Sequence, residues 1–288
     1  MNKTAEMADF TKNGGQTASP LLDRPAGLER IDQTFRRTKA EGRAALMPYY
    51  TLGFPDPATS LDVLTAISQA GADLIELGIP FSDPLADGPT IQRSTQVALQ
   101  AGTNLTRCLE LVSALRRRTV QQPLLLMGYI NPILAYGVER FVEAAQGAGA
   151  DGFIVPDLPP QEAGELEGLC REHGLALVYL LAPTSPPERI AEVAARTTGF
   201  LYLVSLTGVT GARRALPPDL EEFTGRVRQS AQTPVAVGFG ISTPEQAQVV
   251  GGLADGVIVG SALINAVEQA QDPAQAAGAF VRSLRNAL

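Results

Sequence analysis

The feature that most constrains this chain is a rhythm: eight apolar runs of strand length alternate with amphipathic stretches of helical length. The runs fall at 46–51, 74–77, 124–127, 152–155, 176–181, 200–205, 234–237 and 256–259. Each is apolar almost without interruption, as expected of strands buried on both faces of a parallel sheet. Helical spacing fills 60–70, 105–119, 137–148, 161–173, 187–195, 220–229 and 244–251, and two more helices at 262–270 and 273–288 close the chain. Upstream, Leu28, Ile31 and Phe35 predict a leading helix over 28–40, placed to cover the bottom of whatever the strands build. The punctuation repeats: Ala70-Gly71-Ala72-Asp73, Ala148-Gly149-Ala150-Asp151 and Leu253-Ala254-Asp255-Gly256 each stop a helix just before a strand. Eight βα units with no Gly-x-Gly-x-x-Gly turn after the first strand argue for a single (β/α)8 barrel over a doubly wound sheet. The 288 residues suit it, since such barrels take about 250. We expect a barrel over 21–288 preceded by a disordered tail over 1–20.

Composition excludes several classes. A net charge of −7 with no basic stripe is a poor match to nucleic acid or an anionic membrane surface. The one arginine run, Arg116–Arg118, is expected at a solvated helix end, where it suits the helix dipole. No apolar run is long enough to span a membrane, and the first twenty residues carry acids and no apolar core, unlike a signal peptide. Cys108 and Cys170 form no metal-ligand spacing, and a reducing cytoplasm is the expected compartment.

The stretch Leu74 to Thr90, LIELGIPFSDPLADGPT, carries the chemistry. A carboxylate inside an apolar strand, Glu76, is unfavourable without a partner or a task. Behind it Pro80, Pro84, Gly88 and Pro89 predict an irregular loop bearing Asp83 and Asp87. In barrels, active sites form at the C-terminal ends of the strands. Tyr49, Thr51, Tyr129, Asn131, Asp157 and Tyr202 are expected there too. The ends of the last two strands, Gly238-Phe239-Gly240-Ile241-Ser242 and Gly260-Ser261-Ala262, suggest a phosphate site made of backbone N–H groups and a helix start. Ser205 to Arg214 adds glycines and two arginines. Lysine occurs only at Lys3, Lys12 and Lys39, before the first strand, so no barrel lysine can form a Schiff base. The only histidine, His173, sits near a helix end and reads as a surface or capping residue, which leaves no histidine-rich metal site. Carboxylates, tyrosines and amides remain. Desolvation would raise the pKa of Glu76, whereas Asp87, on its loop, should stay ionised more easily. Asp83 and Asp157 read equally well as turn formers.

The stretch LIELGIPFSDPLADGPTIQRS resembles the signature of the tryptophan synthase α subunit family. The similarity continues in MPYYTLGFPDP, MGYINPILAYG, VPDLP, YLVSLTGVTGARR, VGFGISTPEQ and GSALI. The resemblance implies a lyase that cleaves indole-3-glycerol phosphate to indole and glyceraldehyde 3-phosphate in the last step of tryptophan biosynthesis, with no metal or organic cofactor in this chain. It implies Glu76 as the acid–base group and Asp87 as the group holding the indole N–H. Tyr202 would shape the site and Thr210 would meet Asp87 on loop closure. Gly211, Gly240, Gly260 and Ser261 would cradle the phosphate. Tyr49, Met127, Tyr129 and Phe239 would line the indole pocket. It further implies a β-subunit partner that carries pyridoxal phosphate, in an αββα heterotetramer, met near Asp83. Leu206 stands where some members have a basic residue, a gap that Arg213 or Arg214 could fill, and the loop over 53–57 reads one residue longer than in some relatives. Rival readings are a stand-alone lyase with the same residues and a non-catalytic subunit that only activates a β partner.

Overall fold

The computed structural model of the chain describes residues 26–204, 218–238 and 240–288. The expected tail over 1–20, and Ser205, Leu206, Thr210, Gly211, Arg213, Arg214 and Phe239, lie outside the described residues.

All strand pairings are parallel. The strands are β1 (Ala45–Thr51), β2 (Ile75–Gly78), β3 (Leu124–Met127), β4 (Gly152–Ile154), β5 (Ala176–Val178), β6 (Leu180–Leu181), β7 (Leu201–Val204), β8 (Val235–Gly238) and β9 (Gly256–Val259). Their order is β5-β4-β3-β2-β1-β9-β8-β7-β6. β5 and β6 are two pieces of the expected fifth strand, parted at Tyr179, whose N–H donates to Thr197 Oγ1 at 3.1 Å and whose carbonyl accepts from Tyr202 N–H at 3.1 Å. The two ends of the sheet are thus one continuous chain, and the sheet closes on itself as a (β/α)8 barrel.

The helices are α1 (Gly27–Ala40), α2 (Pro57–Gln69), α3 (Pro89–Gln100), α4 (Leu105–Arg117), α5 (Ile130–Tyr136), α6 (Val138–Ala148), α7 (Gly164–Glu172), α8 (Pro187–Arg196), α9 (Leu220–Ser230), α10 (Pro244–Leu253), α11 (Ser261–Glu268) and α12 (Pro273–Arg285), with a 3-10 turn at Pro160–Glu162. Two of these correct the sequence reading. α3 was not expected: it opens at Pro89, behind an extended Gly88, where the sequence reads as irregular loop. Proline at the first helical position gives up only an N–H that the helix leaves unused, so Gly-Pro here starts a helix. α5 was not expected either: it is two turns long, too short to show a period.

Alternate residues of each strand point into the barrel. Met47, Leu74, Leu125, Ile154, Val178 and Phe200 pack there with Ile31 and Phe35 of α1. The Phe35 and Phe200 rings lie 5.8 Å apart, so the leading helix plugs the bottom. Outward-facing residues form the second, larger core against the helices.

The repeated aspartates do more than follow a helix stop. Asp73 N–H donates to Leu46 O at 2.9 Å, and Leu46 N–H returns a 2.9 Å bond to Asp73 Oδ2. Asp151 and Leu124 repeat this two-way bond, as do Asp255 and Val235. Thr198 does the same with Leu177, its Oγ1 standing in for a carboxylate. The first, third, fifth and seventh strands of the barrel are therefore each clamped at the bottom by the residue that leads into the next. Arginines surround the acids. Asp73 pairs with Arg37 and Arg43, each at 2.6 Å, and Asp151 with Arg30 at 2.5 Å and Arg116 at 2.6 Å. Arg116 therefore departs from the expected solvated helix end. Its side chain is 6% exposed and donates to the carbonyls of Gly149, Val120 and Gln122 as well as to Asp151. Replacing Asp151 by Ala leaves two guanidinium groups without their carboxylate and Leu124 N–H without its acceptor. We expect urea unfolding to show a loss of about 3–5 kcal/mol. A loss below about 1 kcal/mol, the scale of a surface pair, would show that the clamp carries no stability.

Candidate active site

Glu76 stands in β2 in register with Tyr49 of β1 and Leu125 of β3. It is 0% exposed, and among the described residues neither carboxylate oxygen meets a hydrogen-bond donor. Burial alone pushes its carboxyl up to about 8. The desolvation expected from the sequence is present in full.

Asp87 lies two residues before α3, half-buried at the mouth of the barrel. Its Oδ2 accepts from Tyr129 Oη at 3.0 Å, and the same Oη accepts the Ala86 N–H at 2.9 Å. Gln92 of α3 donates to the Asp87 backbone carbonyl at 2.8 Å. The Phe81 ring lies 5.5 Å from that of Tyr129, so the loop is folded back over the cleft. This shielding raises Asp87 as well as Glu76, which the loop position alone did not suggest. Burial pushes Asp87 up to about 6, and the Tyr129 hydrogen bond only partly offsets it. The order of the two acids is as expected, and the gap between them is about two pH units.

Tyr49 and Tyr202 are buried, and their hydroxyls are held well above the usual phenol range by desolvation first. The negative charges of Glu76 and Asp87 add to it in both cases, so the four groups lie within electrostatic reach of one another. Two strand-end glycines make room for the rings. A Cβ on Gly78 would stand 2.0 Å from Tyr49 Oη, and one on Gly238 would stand 2.7 Å from the Tyr202 ring. Met127 is half-buried at the end of β3.

On the far side, β8 runs toward Gly240, at φ +68°, and β9 into Gly260, which precedes α11. Ser261 is the first residue of that helix, and the amides of its first turn have no intrahelical acceptor. Asp83 and Asp157 do not join the cavity. Asp83 is exposed and accepts from Ser82 Oγ at 2.6 Å, and Asp157 accepts the Ile130 N–H at 2.9 Å at the start of α5. Leu85, between the two loop aspartates, is 93% exposed. His173 caps the end of α7. The grip of Tyr129 on Asp87 had no local signal, since the two are 42 positions apart. Gln92 could have been found from the Gly-Pro helix start. Among the described residues no group of three or more His, Cys, Asp or Glu could hold a metal ion, and no helix is long and apolar enough to cross a membrane.

A family model described as tryptophan synthase alpha chain matches residues 35–287. The chain belongs to the tryptophan synthase α chain family. It is 51% identical over 263 residues to the tryptophan synthase alpha chain of Chloroflexus aurantiacus, covering 91% of this chain and 99% of that one. With the Roseiflexus sp. protein of the same description it is 52% identical over 260 residues, 90% of this chain and all of the other. Among solved structures, tryptophan synthase of Mycobacterium tuberculosis superposes with a TM-score of 0.84 at 39% identity, covering 90% of this chain and 97% of that one. Tryptophan synthase subunit alpha of Legionella pneumophila superposes with a TM-score of 0.83 at 42% identity, with the same coverage.

A buried acid that titrates near 8 opposes folding once the unfolded chain ionises. Its contribution to stability is complete below about 4.5 and is lost as pH rises through about 8. Asp87 adds a like term that is already spent by about 6. Between pH 6 and 8 the wild type should therefore lose on the order of 2 kcal/mol through Glu76. Glu76→Gln should remove that part of the decline, measured as urea midpoints across the range. An unchanged slope would mean that Glu76 is not neutral in the folded protein.

Proposed function

We propose that this family member performs the α reaction, the retro-aldol cleavage of indole-3-glycerol phosphate to indole and glyceraldehyde 3-phosphate. The observation that carries the assignment of roles is Glu76: a fully buried carboxyl with no hydrogen-bond donor among the described residues, its pKa pushed up to about 8, near a second carboxylate raised only to about 6. Two acids whose environments push their pKa values apart suit one proton donor and one anion. Glu76 gives its proton to C3 of the indole ring. Asp87 accepts the indole N–H and stabilises the positive charge that the ring then carries. Glu76, now a carboxylate, takes the proton of the side-chain hydroxyl next to C3. The C–C bond breaks, its electron pair returns to the ring, an aldehyde forms and indole leaves.

Tyr49, Met127, Tyr129 and Phe239 line the indole pocket, with Tyr202 closing one side. Gly240, Gly260 and Ser261 hold the phosphate, and the family resemblance adds Gly211 to that set and assigns Thr210 to Asp87, both outside the described residues. The first-turn amides of α11, which have no intrahelical acceptor, support the phosphate assignment. The chain works in the cytoplasm with a β subunit in an αββα complex, and the β subunit carries the pyridoxal phosphate. A partner met at the Asp83 loop would cover Leu85, which is 93% exposed among the described residues.

Release of indole from indole-3-glycerol phosphate tests the reading. Glu76→Gln and Asp87→Asn should each lower kcat by about 10²-fold or more while the protein stays folded. The kcat/KM profile should be bell-shaped, falling below about 6 as Asp87 takes up a proton and above about 8 as Glu76 loses one. Full activity in either variant would overturn the assignment.

A further inference from the structure

Asp87 is gripped from one side by Tyr129. The other side of its loop runs into α3, and α3 is tied to the barrel through two buried hydroxyls. Thr51 closes β1 and Ser94 lies in the second turn of α3. They are 0% and 1% exposed, and their Oγ atoms are 2.7 Å apart.

Counting hydrogens gives this bond a direction. Ser94 Oγ donates to the Ile91 carbonyl at 2.8 Å. A serine hydroxyl has one hydrogen, so toward Thr51 it accepts and Thr51 donates. Tyr49 Oη lies 3.4 Å from Thr51 Oγ1, and with the Thr51 hydrogen already committed Tyr49 is the donor in that longer contact. The hydroxyls therefore point one way, from the cavity wall to the backbone of α3.

Asp87 is joined to that helix as well. Gln92 bonds to the backbone carbonyl of Asp87 through its side chain and to that of Gly88 through its N–H. A helix moves as a stiff unit, so a slide or roll of α3 is passed directly to Asp87.

We propose that Thr51 and Ser94 are positioning residues for Asp87: their bond locks the start of α3 to the end of β1 and so sets where the Asp87 carboxylate stands relative to Glu76. This rests on the active-site reading above. Two hydroxyls at these positions supply what apolar packing does not, a single distance and direction. Catalysis is sensitive to displacements well under 1 Å.

The test is the double variant Thr51→Val/Ser94→Ala. It removes both partners and keeps their approximate shape, and the one polar side chain it leaves without an acceptor is Tyr49, whose contact with Thr51 was already long at 3.4 Å, so its melting temperature should stay near that of the wild type. Its kcat for indole release should fall about tenfold with KM changed less than about twofold, while Thr51→Ser retains wild-type kcat. In an Asp87→Asn background the same pair of changes should cost less than about twofold, because the group being positioned has gone. Should the double variant not fold, Ser94→Ala alone is read in the same way. An unchanged kcat, or an equal tenfold loss with and without Asp87, overturns the inference and leaves the active site standing. A fully active Asp87→Asn overturns the reading of Asp87 itself, and this inference with it.

Discussion

Two-way hydrogen bonds at the bottom of the barrel are the constraint on which the rest depends. Each ties the first residue or two of a strand to the residue leading into the next, through both the N–H and the carbonyl. A parallel sheet of short apolar strands has little else to hold its register, and a slip of one residue turns every side chain to the opposite face. In β2 such a slip would send Glu76 out among the helices and Leu77 into the cavity. The clamp at Asp73 and Leu46 is therefore also what keeps Glu76 opposite Tyr49. Stability and chemistry sit at opposite ends of the same strands, as is usual in barrels.

At the upper end the protein withholds what it supplies at the lower. Asp73 and Asp151 are each met by two arginines and a backbone N–H. Glu76, equally buried, meets no donor among the described residues. The same kind of side chain is an anchor in one place and a reservoir for a proton in the other, and the difference is only in the company it keeps. Under the proposed function, the cost of an unsatisfied buried acid is borne because a general acid has to hold its proton near neutral pH. The plug of Ile31 and Phe35 helps by sealing the barrel bottom below the Leu74 layer.

Much of this was legible in the residues. Strand runs, the leading helix and the glycine stops are local patterns, and local patterns survive in a linear text. Glu76 stood out because an acid within an apolar strand has few explanations. Other features were misread for physical reasons. Arg116 reads as one of three charges at a helix end, and only its burial against Asp151, 35 positions away, makes it structural. Asp87 reads as a loop carboxylate, and only the folding of the loop back under Tyr129 desolvates it. Pro89 reads as a breaker where it is a helix start.

The sequence by itself determined the apolar core positions, where the strands lie and which two carboxylates are available, because periodicity and desolvation cost follow from residue type and spacing. The tertiary structure alone decided how far apart the two acids titrate, which tyrosine grips Asp87 and which hydroxyls tie α3 to β1. Those depend on a closed barrel bringing β1, β3 and α3 together over separations of about 40 residues, and hydrogen bonds of 3 Å have no signature in a chain before it folds.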